Sequence, residues 1–121
     1  MQAVLDWELC TLGDPLADLG LLLVYWADPG EEAVEDIVGF PTSAPGFLTK
    51  ADLVQLYADR TGRDVSQVGY FVGFGYWKLA CILQGVVDRF RDGQMGDDDS
   101  GSGLKGGGVV QLAQRAAEAL A

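Results

Sequence analysis

The stretch VLDWELCTLGDPLADL, residues 4–19, decides the fold of this 121-residue chain. Its first residues belong to a short apolar run over 3–7 with β-branched and aromatic character, which predicts a strand. Asp14 and Pro15 predict a helix start, because aspartate can cap free amides and proline needs no amide proton at the first helical position. The order is therefore a strand with Asp6 at its end, a turn and a helix.

That helix is predicted to run to about Ala27. It is apolar on almost every face, so we expect it to be buried all round. Asp18 lies inside its first turns, where a buried carboxylate must be paired or hydrogen-bonded. The alternative is a carboxylate that is simply favoured by the helix dipole near an amino terminus.

Two capping boxes predict the next helix starts. They are Thr49 with Asp52, and Asp64 with Gln67. Gly62 ends the first of these helices, and the second, over 65–91, is the longest and forms the centre of the core. Gly73 and Gly75 follow no strand, so they indicate close helix packing rather than a nucleotide-binding turn.

A transmembrane helix over 68–87 is the alternative for the longest helix, because this apolar stretch contains Gly69 and Gly73 in a GxxxG arrangement. Lys78 argues against it, since a lysine at the centre of a bilayer costs about 2.5 to 3.5 kcal/mol. We expect the Lys78 ammonium to reach solvent from a partly buried stem.

The rest of the chain divides into loop, linker and last helix. Residues 28–48 contain prolines, glycines and an acidic patch over 31–36, and predict a long loop with at most one helical turn. Residues 93–106 have the composition of a flexible linker, which includes an Asp97–Asp99 run without the spacing of an EF-hand. We predict segments 1–92, 93–106 and 107–121, the last being a helix.

Composition excludes several classes of function. The net charge is −10 and no histidine is present, so histidine-based catalysis and histidine zinc sites are excluded within the chain. The charge also argues against nucleic-acid and anionic-membrane surfaces. Cys10 and Cys81 lack a metal or disulfide pattern, and no signal peptide is evident, so we expect reduced thiols and a cytoplasmic protein.

Asp6 and Glu8 are the candidate metal ligands. Magnesium prefers oxygen donors and usually takes one or two protein carboxylates together with substrate phosphates. Asp6 and Glu8 are two residues apart, so their side chains would lie on the same face if the strand continued to Glu8. The alternatives are that Asp6 caps the following turn and that Glu8 is a carboxylate at the rim.

Two segments resemble the aminoglycoside phosphotransferase family, whose members are kinase-like enzymes. VLDWELCTLGDPLADLGLLLVYW is similar to the family's metal-binding strand and next helix. PGFLTKADLVQLYADRTGRDVSQVGYFVGFGYWKLACILQGVVDRF is similar to its carboxy-terminal helices. Together they cover most of residues 3–92, and the nearest subgroup stands alone or is joined to acyl-CoA dehydrogenase-like domains.

The resemblance implies a mainly α fold, the helical C-terminal lobe of a protein-kinase-like enzyme with one short N-terminal strand. It implies ATP and Mg²⁺ as cofactors, Asp6 as metal ligand, Asp18 as a residue that supports the catalytic loop, and a small hydroxylated acceptor. The N-terminal lobe and the His-Gly-Asp type catalytic loop are absent, so we expect this chain alone to be inactive.

A rival hypothesis is a non-catalytic helical module. The apolar surface left where the missing lobe would lie could bind a partner or a second copy, with Val4, Leu5 and Trp7 pairing strand to strand in a homodimer.

Overall fold

The computed structural model describes residues 3, 5, 7, 10–31, 34, 40–93 and 106–121. These residues form four α-helices and one short 3₁₀ helix. The helices are α1 (Leu16–Val24), α2 (Lys50–Thr61), α3 (Val68–Arg91) and α4 (Gly107–Leu120), and the 3₁₀ helix is Pro41–Ser43. The mainly α fold predicted from the sequence is confirmed. The linker predicted over 93–106 lies, apart from its two end residues, outside the described residues, and the division into three segments stays a prediction.

The strand predicted over 3–7 is not formed by the described residues. Ala3 and Leu5 lie in no regular element, and Trp7 is in a 3₁₀ turn, its carbonyl oxygen accepting a 3.0 Å hydrogen bond from the Cys10 amide. Val4 and Asp6 lie outside the described residues. Nothing else in the described part of the chain is a strand, and a single strand without a pairing partner is not stable.

α1 is shorter and more exposed than predicted. The helix begins at Leu16 and ends at Val24, so Pro15 is at the N-cap position and not at the predicted first helical position. Asp14 lies one residue earlier, where it accepts a 2.9 Å hydrogen bond from the Leu16 amide. Ala27, where we expected the end, instead donates its amide to the Thr42 hydroxyl. The expectation of burial all round is wrong, because Leu22 is 44% exposed.

α2 has the ends that the sequence predicts. The Thr49–Asp52 capping box is formed in both directions, and Gly62 ends the helix in the left-handed conformation with φ of 66°. The second predicted capping box is not formed. Asp64 bonds the amide and hydroxyl of Ser66 instead, at 2.9 and 3.0 Å, so α3 begins at Val68 and not at Val65.

α3 is the central helix, packed against α1 on one side and α4 on the other. Close packing depends on glycines, as predicted: a β-carbon at Gly75 would lie 3.0 Å from a Val24 methyl group, and one at Gly73 would lie 2.6 Å from the Leu120 side chain. Lys78 is exposed, in agreement with the prediction.

Two hydrophobic clusters form the core, and Val72 on α3 packs against both. The first joins α1, α3 and α4 and consists of Val24, Val34, Tyr76, Leu79, Ala80, Leu112 and Ala116. The second is centred on Leu16, Leu19 and Leu23 of α1. α3 is also the single helix in the described ranges that is long and apolar enough to cross a membrane, a test that the core helix of a soluble protein also passes.

Candidate functional site

The predicted metal ligands Asp6 and Glu8 lie outside the described residues, so their role stays a prediction. Their described neighbours are open to solvent: Leu5 is 81% exposed and Trp7 is 62% exposed. Within the part of the chain that the structure describes, no group of three or more His, Cys, Asp or Glu side chains could hold a metal ion. The Asp97–Asp99 run is also outside that part.

Asp18 lies at the edge of a cleft between α1 and α2. The cleft has a volume of about 260 Å³, and its lining residues are Pro15, Asp18, Leu19, Leu22 and Tyr57. The lining is mainly apolar, with the Asp18 carboxylate as its charged group. Asp18 is exposed, so the expectation that a buried carboxylate needs a partner does not apply to it. The third position of a helix is also where a negative charge is favoured by the dipole.

Glu31 is the centre of a charged cluster that joins three parts of the chain. Lys50, the first residue of α2, donates from Nζ to both Glu31 carboxylate oxygens at 2.7 Å. Arg115 of α4 lies 3.6 Å from Glu31 Oε1, and its guanidinium lies 6.0 Å from the centre of the Tyr76 ring. A cavity of about 400 Å³ adjoins this cluster, with Glu118 on its wall.

The electrostatics of this cluster favour the charged form of Glu31. Partial burial acts to raise the pKa of Glu31, but the Lys50 hydrogen bond, the Asp28 amide and the two cations together hold it below its ordinary value of 4.5. Asp28 completes the cluster, since its amide donates to Glu31 at 3.1 Å and its carboxylate accepts from the Lys50 amide at 2.8 Å.

Sequence reasoning placed Glu31 in an acidic surface loop and missed this cluster. Glu31 and Lys50 are 19 positions apart, and Arg115 is on the last helix, so no local spacing signals the pairing. The Glu31 charge is compensated within the chain by Lys50 and Arg115. Glu32, Glu35 and Asp36 lie outside the described residues.

A model of a protein family matches the amino-terminal third of the chain. Residues 1–44 match the family model described as "Phosphotransferase enzyme family". This match spans the predicted metal ligands, α1 and most of the following loop, including the 3₁₀ helix. No solved structure matches the chain.

Several curated relatives are named for the acyl-CoA dehydrogenase families. Acyl-CoA dehydrogenase family member 11 of Rattus norvegicus is 33% identical over 100 residues, which is 81% of this chain and 13% of the relative. The Homo sapiens protein of the same name is 30% identical over 100 residues, with the same shares. Acyl-CoA dehydrogenase family member 10 of Mus musculus is 32% identical over 94 residues, 76% of this chain and 9% of the relative.

The chain therefore spans about an eighth of the length of the family member 11 relatives. Both kinds of match agree with the two parts of the resemblance, which were a phosphotransferase segment and a subgroup linked to acyl-CoA dehydrogenase-like proteins. Residues 1–44 therefore match the phosphotransferase enzyme family, and the resemblance predicted from the sequence is confirmed.

Proposed function

We propose that this chain is the C-terminal part of an ATP- and Mg²⁺-dependent phosphotransferase that transfers the γ-phosphoryl group to a hydroxyl of a small molecule. The observation that carries the proposal is the family match over residues 1–44, which includes Asp6, Glu8 and all of α1. Phosphoryl transfer depends mainly on positioning and electrostatic stabilisation, so a segment that supplies a carboxylate and a rigid helix contributes directly to it.

The donor set of Asp6 and Glu8 suits magnesium, because both side chains offer hard carboxylate oxygens. We assign Asp6 as a direct ligand and Glu8 as a second ligand, directly or through water. When bound beside ATP, the magnesium ion would neutralise negative charge on the phosphate groups. Asp18 has a supporting role in this proposal: it lies on α1, 12 positions after Asp6, and is open to the cleft shared with Tyr57.

The acceptor is a small hydroxylated molecule, either aminoglycoside-like or of the hydroxyacyl type. The names of the acyl-CoA dehydrogenase relatives support the second class. The mainly apolar lining of the cleft beside Asp18 suits the acyl portion of such an acceptor better than it suits a polycationic sugar. We further propose that the protein is cytoplasmic and binds neither nucleic acid nor membrane, in line with its net charge of −10.

The 121-residue chain alone should turn over no ATP. It contains no histidine, so it has no His-Gly-Asp catalytic loop, and catalysis of phosphoryl transfer fails when its parts are not held together.

The test is an ATP-consumption assay with Mg²⁺ on the chain extended to its full natural reading frame, over hydroxyacyl thioesters and amino sugars. We expect acceptor-dependent turnover that Asp6→Ala abolishes and Asp59→Ala leaves unchanged, since Asp59 is exposed on α2. Turnover that is indifferent to Asp6, or ATP consumption by the 121-residue chain itself, would contradict the proposal.

A second candidate function is a non-catalytic dimerisation module, and an exposed aromatic stripe on α3 favours it. Tyr70, Phe74 and Trp77 are 57%, 40% and 55% exposed, and the rings of Phe74 and Trp77 lie 5.8 Å apart. Large exposed apolar patches commonly mark protein–protein contacts.

Sedimentation over a range of concentrations tests this candidate. A dimer of the 121-residue chain that Phe74→Ser with Trp77→Ser dissociates, and that Leu56→Ser on α2 does not, would support the module. A monomer at all concentrations would remove it.

A further inference from the structure

α2 is the helix that is least embedded in the described part of the chain. α1, α3 and α4 each contain buried residues, whereas none of the twelve residues of α2 is buried. Close backbone packing joins α1 to α3 and α3 to α4. α2 instead rests on Leu16, Leu19 and Leu23 of α1 through partly buried side chains, which are Leu53, Val54 and Tyr57.

The beginning of α2 is held by polar contacts to the segment that follows α1. The Lys50 amide donates to Asp28 and the Lys50 ammonium to Glu31. Trp26 Nε1 donates to the Leu48 carbonyl oxygen at 2.8 Å, just before the helix. Glu31 also faces Arg115, so one partly exposed carboxylate connects the start of α2 to α4.

The far end of α2 has the character of a hinge. Gly62 adopts a φ of 66°, a conformation that glycine reaches at no steric cost. The side-chain hydrogen bonds from Thr61 to Ser66 are local, joining Thr61 to Tyr57 and Arg63, and Asp64 to Ser66. Hinges are commonly a few residues at element ends that absorb the change of backbone angles.

The cleft beside Asp18 lies under this helix. Tyr57 of α2 forms one wall, and α1 supplies Asp18, Leu19 and Leu22. Leu19 is only 5% exposed. Movement of α2 away from α1 would therefore open the cleft and uncover the part of Leu19 that lines it. The contacts of Val68, Phe71 and Val72 with this cluster and the glycine contacts between α1, α3 and α4 would remain.

We propose that α2 is a hinged lid over the Asp18 cleft, latched by the contacts of Glu31 with Lys50 and Arg115 and pivoting at Gly62. An element held by partly solvated ion pairs and a few half-buried side chains opens more readily than the core. The lid is a property of the chain and does not depend on phosphoryl transfer, so it is testable without ATP.

Thiol labelling measures the opening. In a Cys10→Ser, Cys81→Ser background, which removes the two exposed native thiols, Leu19→Cys reports on the cleft and Ala80→Cys reports on the α3–α4 core. We expect Glu31→Gln to raise the labelling rate at position 19 about fivefold or more, the factor expected for losing a modest interaction, through an opening that depends little on urea. Position 80 should be labelled only by global unfolding, with the full dependence on urea. Glu118→Gln, on the same cavity wall as Glu31, is the matched control and should change neither rate.

Hydrogen exchange provides a second readout. It is measured on the chain that keeps Leu19 and Ala80, so no substitution that leaves a cavity in the core affects the result. Glu31→Gln should speed exchange across α2 through an opening that depends little on urea, whereas the most protected amides of α1, α3 and α4 should exchange only by global unfolding, with the full dependence on urea. The same urea dependence in all four helices, or at both labelled cysteines, would show global unfolding alone and overturn the lid. An unchanged labelling rate at position 19, or unchanged exchange across α2, would overturn it as well.

Discussion

Gly20 on α1 lies so close to Phe71 on α3 that a β-carbon at position 20 would come within 2.6 Å of the Phe71 carbonyl carbon and oxygen. Both neighbouring atoms are backbone atoms inside a helix, so neither can rotate away. The contact fixes the distance between α1 and α3, and with it the position of Asp18 and the cleft.

Gly20→Ala should therefore destabilise the chain, although alanine is the better helix former. We expect a loss of about 1 to 3 kcal/mol in the free energy of unfolding, the usual cost of overpacking. Gly85→Ala is the matched control in the interior of α3, where a β-carbon meets nothing closer than the end of the Arg89 side chain at 3.7 Å, and it should gain about 0.5 to 1 kcal/mol. Urea unfolding of both variants measures the difference, and equal effects would contradict the packing described.

Leu112→Ala should weaken the attachment of α4. Leu112 is fully buried in the cluster that joins α1, α3 and α4, and truncation of such a leucine costs about 2 to 5 kcal/mol. Val110→Ala, on the exposed side of the same helix, should change the free energy of unfolding by less than about 0.5 kcal/mol. Thermal unfolding followed by circular dichroism checks both values. Similar unfolding midpoints for the two variants would contradict the orientation of α4, in which Leu112 is buried and Val110 is exposed.

The pH dependence of stability should contain a contribution from Glu31. Its pKa is lower in the folded chain than its ordinary value of 4.5, so its stabilising effect is complete above about pH 4.5 and is lost as the pH falls through the folded value. Glu31→Gln should cost about 1 kcal/mol near neutral pH, at the upper end for partly exposed pairs, and progressively less below pH 4.5.

Unfolding in urea at several pH values tests the sign. The curves of the wild-type chain and Glu31→Gln should converge as the pH falls. A constant or widening gap would contradict the assignment of the Lys50 and Arg115 contacts to the charged form of Glu31.

Asp18→Asn separates a structural from a functional role for this residue. Because Asp18 is exposed, the variant should lose less than about 1 kcal/mol, the range of a helix-dipole effect. In the full reading frame, the proposed supporting role predicts a fall in kcat/KM of about tenfold or more, with a melting temperature that falls by no more than this small loss of stability allows. Unchanged stability together with unchanged kcat/KM would leave Asp18 as a surface residue only.

The sequence allowed good predictions where structure is determined by neighbouring residues. The Thr49–Asp52 capping box and the Gly62 stop were predicted and are observed, because both depend on contacts within four positions. Glycine-dependent packing of α3 was also predictable, since two glycines within an apolar helix have few other uses. The Asp64–Gln67 box failed because Ser66, closer in sequence, takes both Asp64 oxygens.

The candidate site was less predictable for physical reasons. The Asp18 cleft depends on how α2 lies on α1, and the Glu31 cluster depends on contacts between residues far apart in the chain. Hydrophobic periodicity predicts neither kind of contact. The exposure of Asp18 and Leu22 also could not be read from α1 itself, because an apolar helix shows which residues can be buried but not which neighbours exist to bury them.

The position of Val72 between both hydrophobic clusters has a consequence for any shortened form of the protein. A chain ending at residue 93 would lose α4, and with it the partner of Tyr76, Leu79 and Ala80 on the other side of α3. Because Val72 also packs against the Leu16–Leu23 cluster, the damage would extend to the side that carries the phosphotransferase segment. The last fifteen residues, although remote from Asp6 in sequence, therefore belong to the smallest piece that can keep α1 in place.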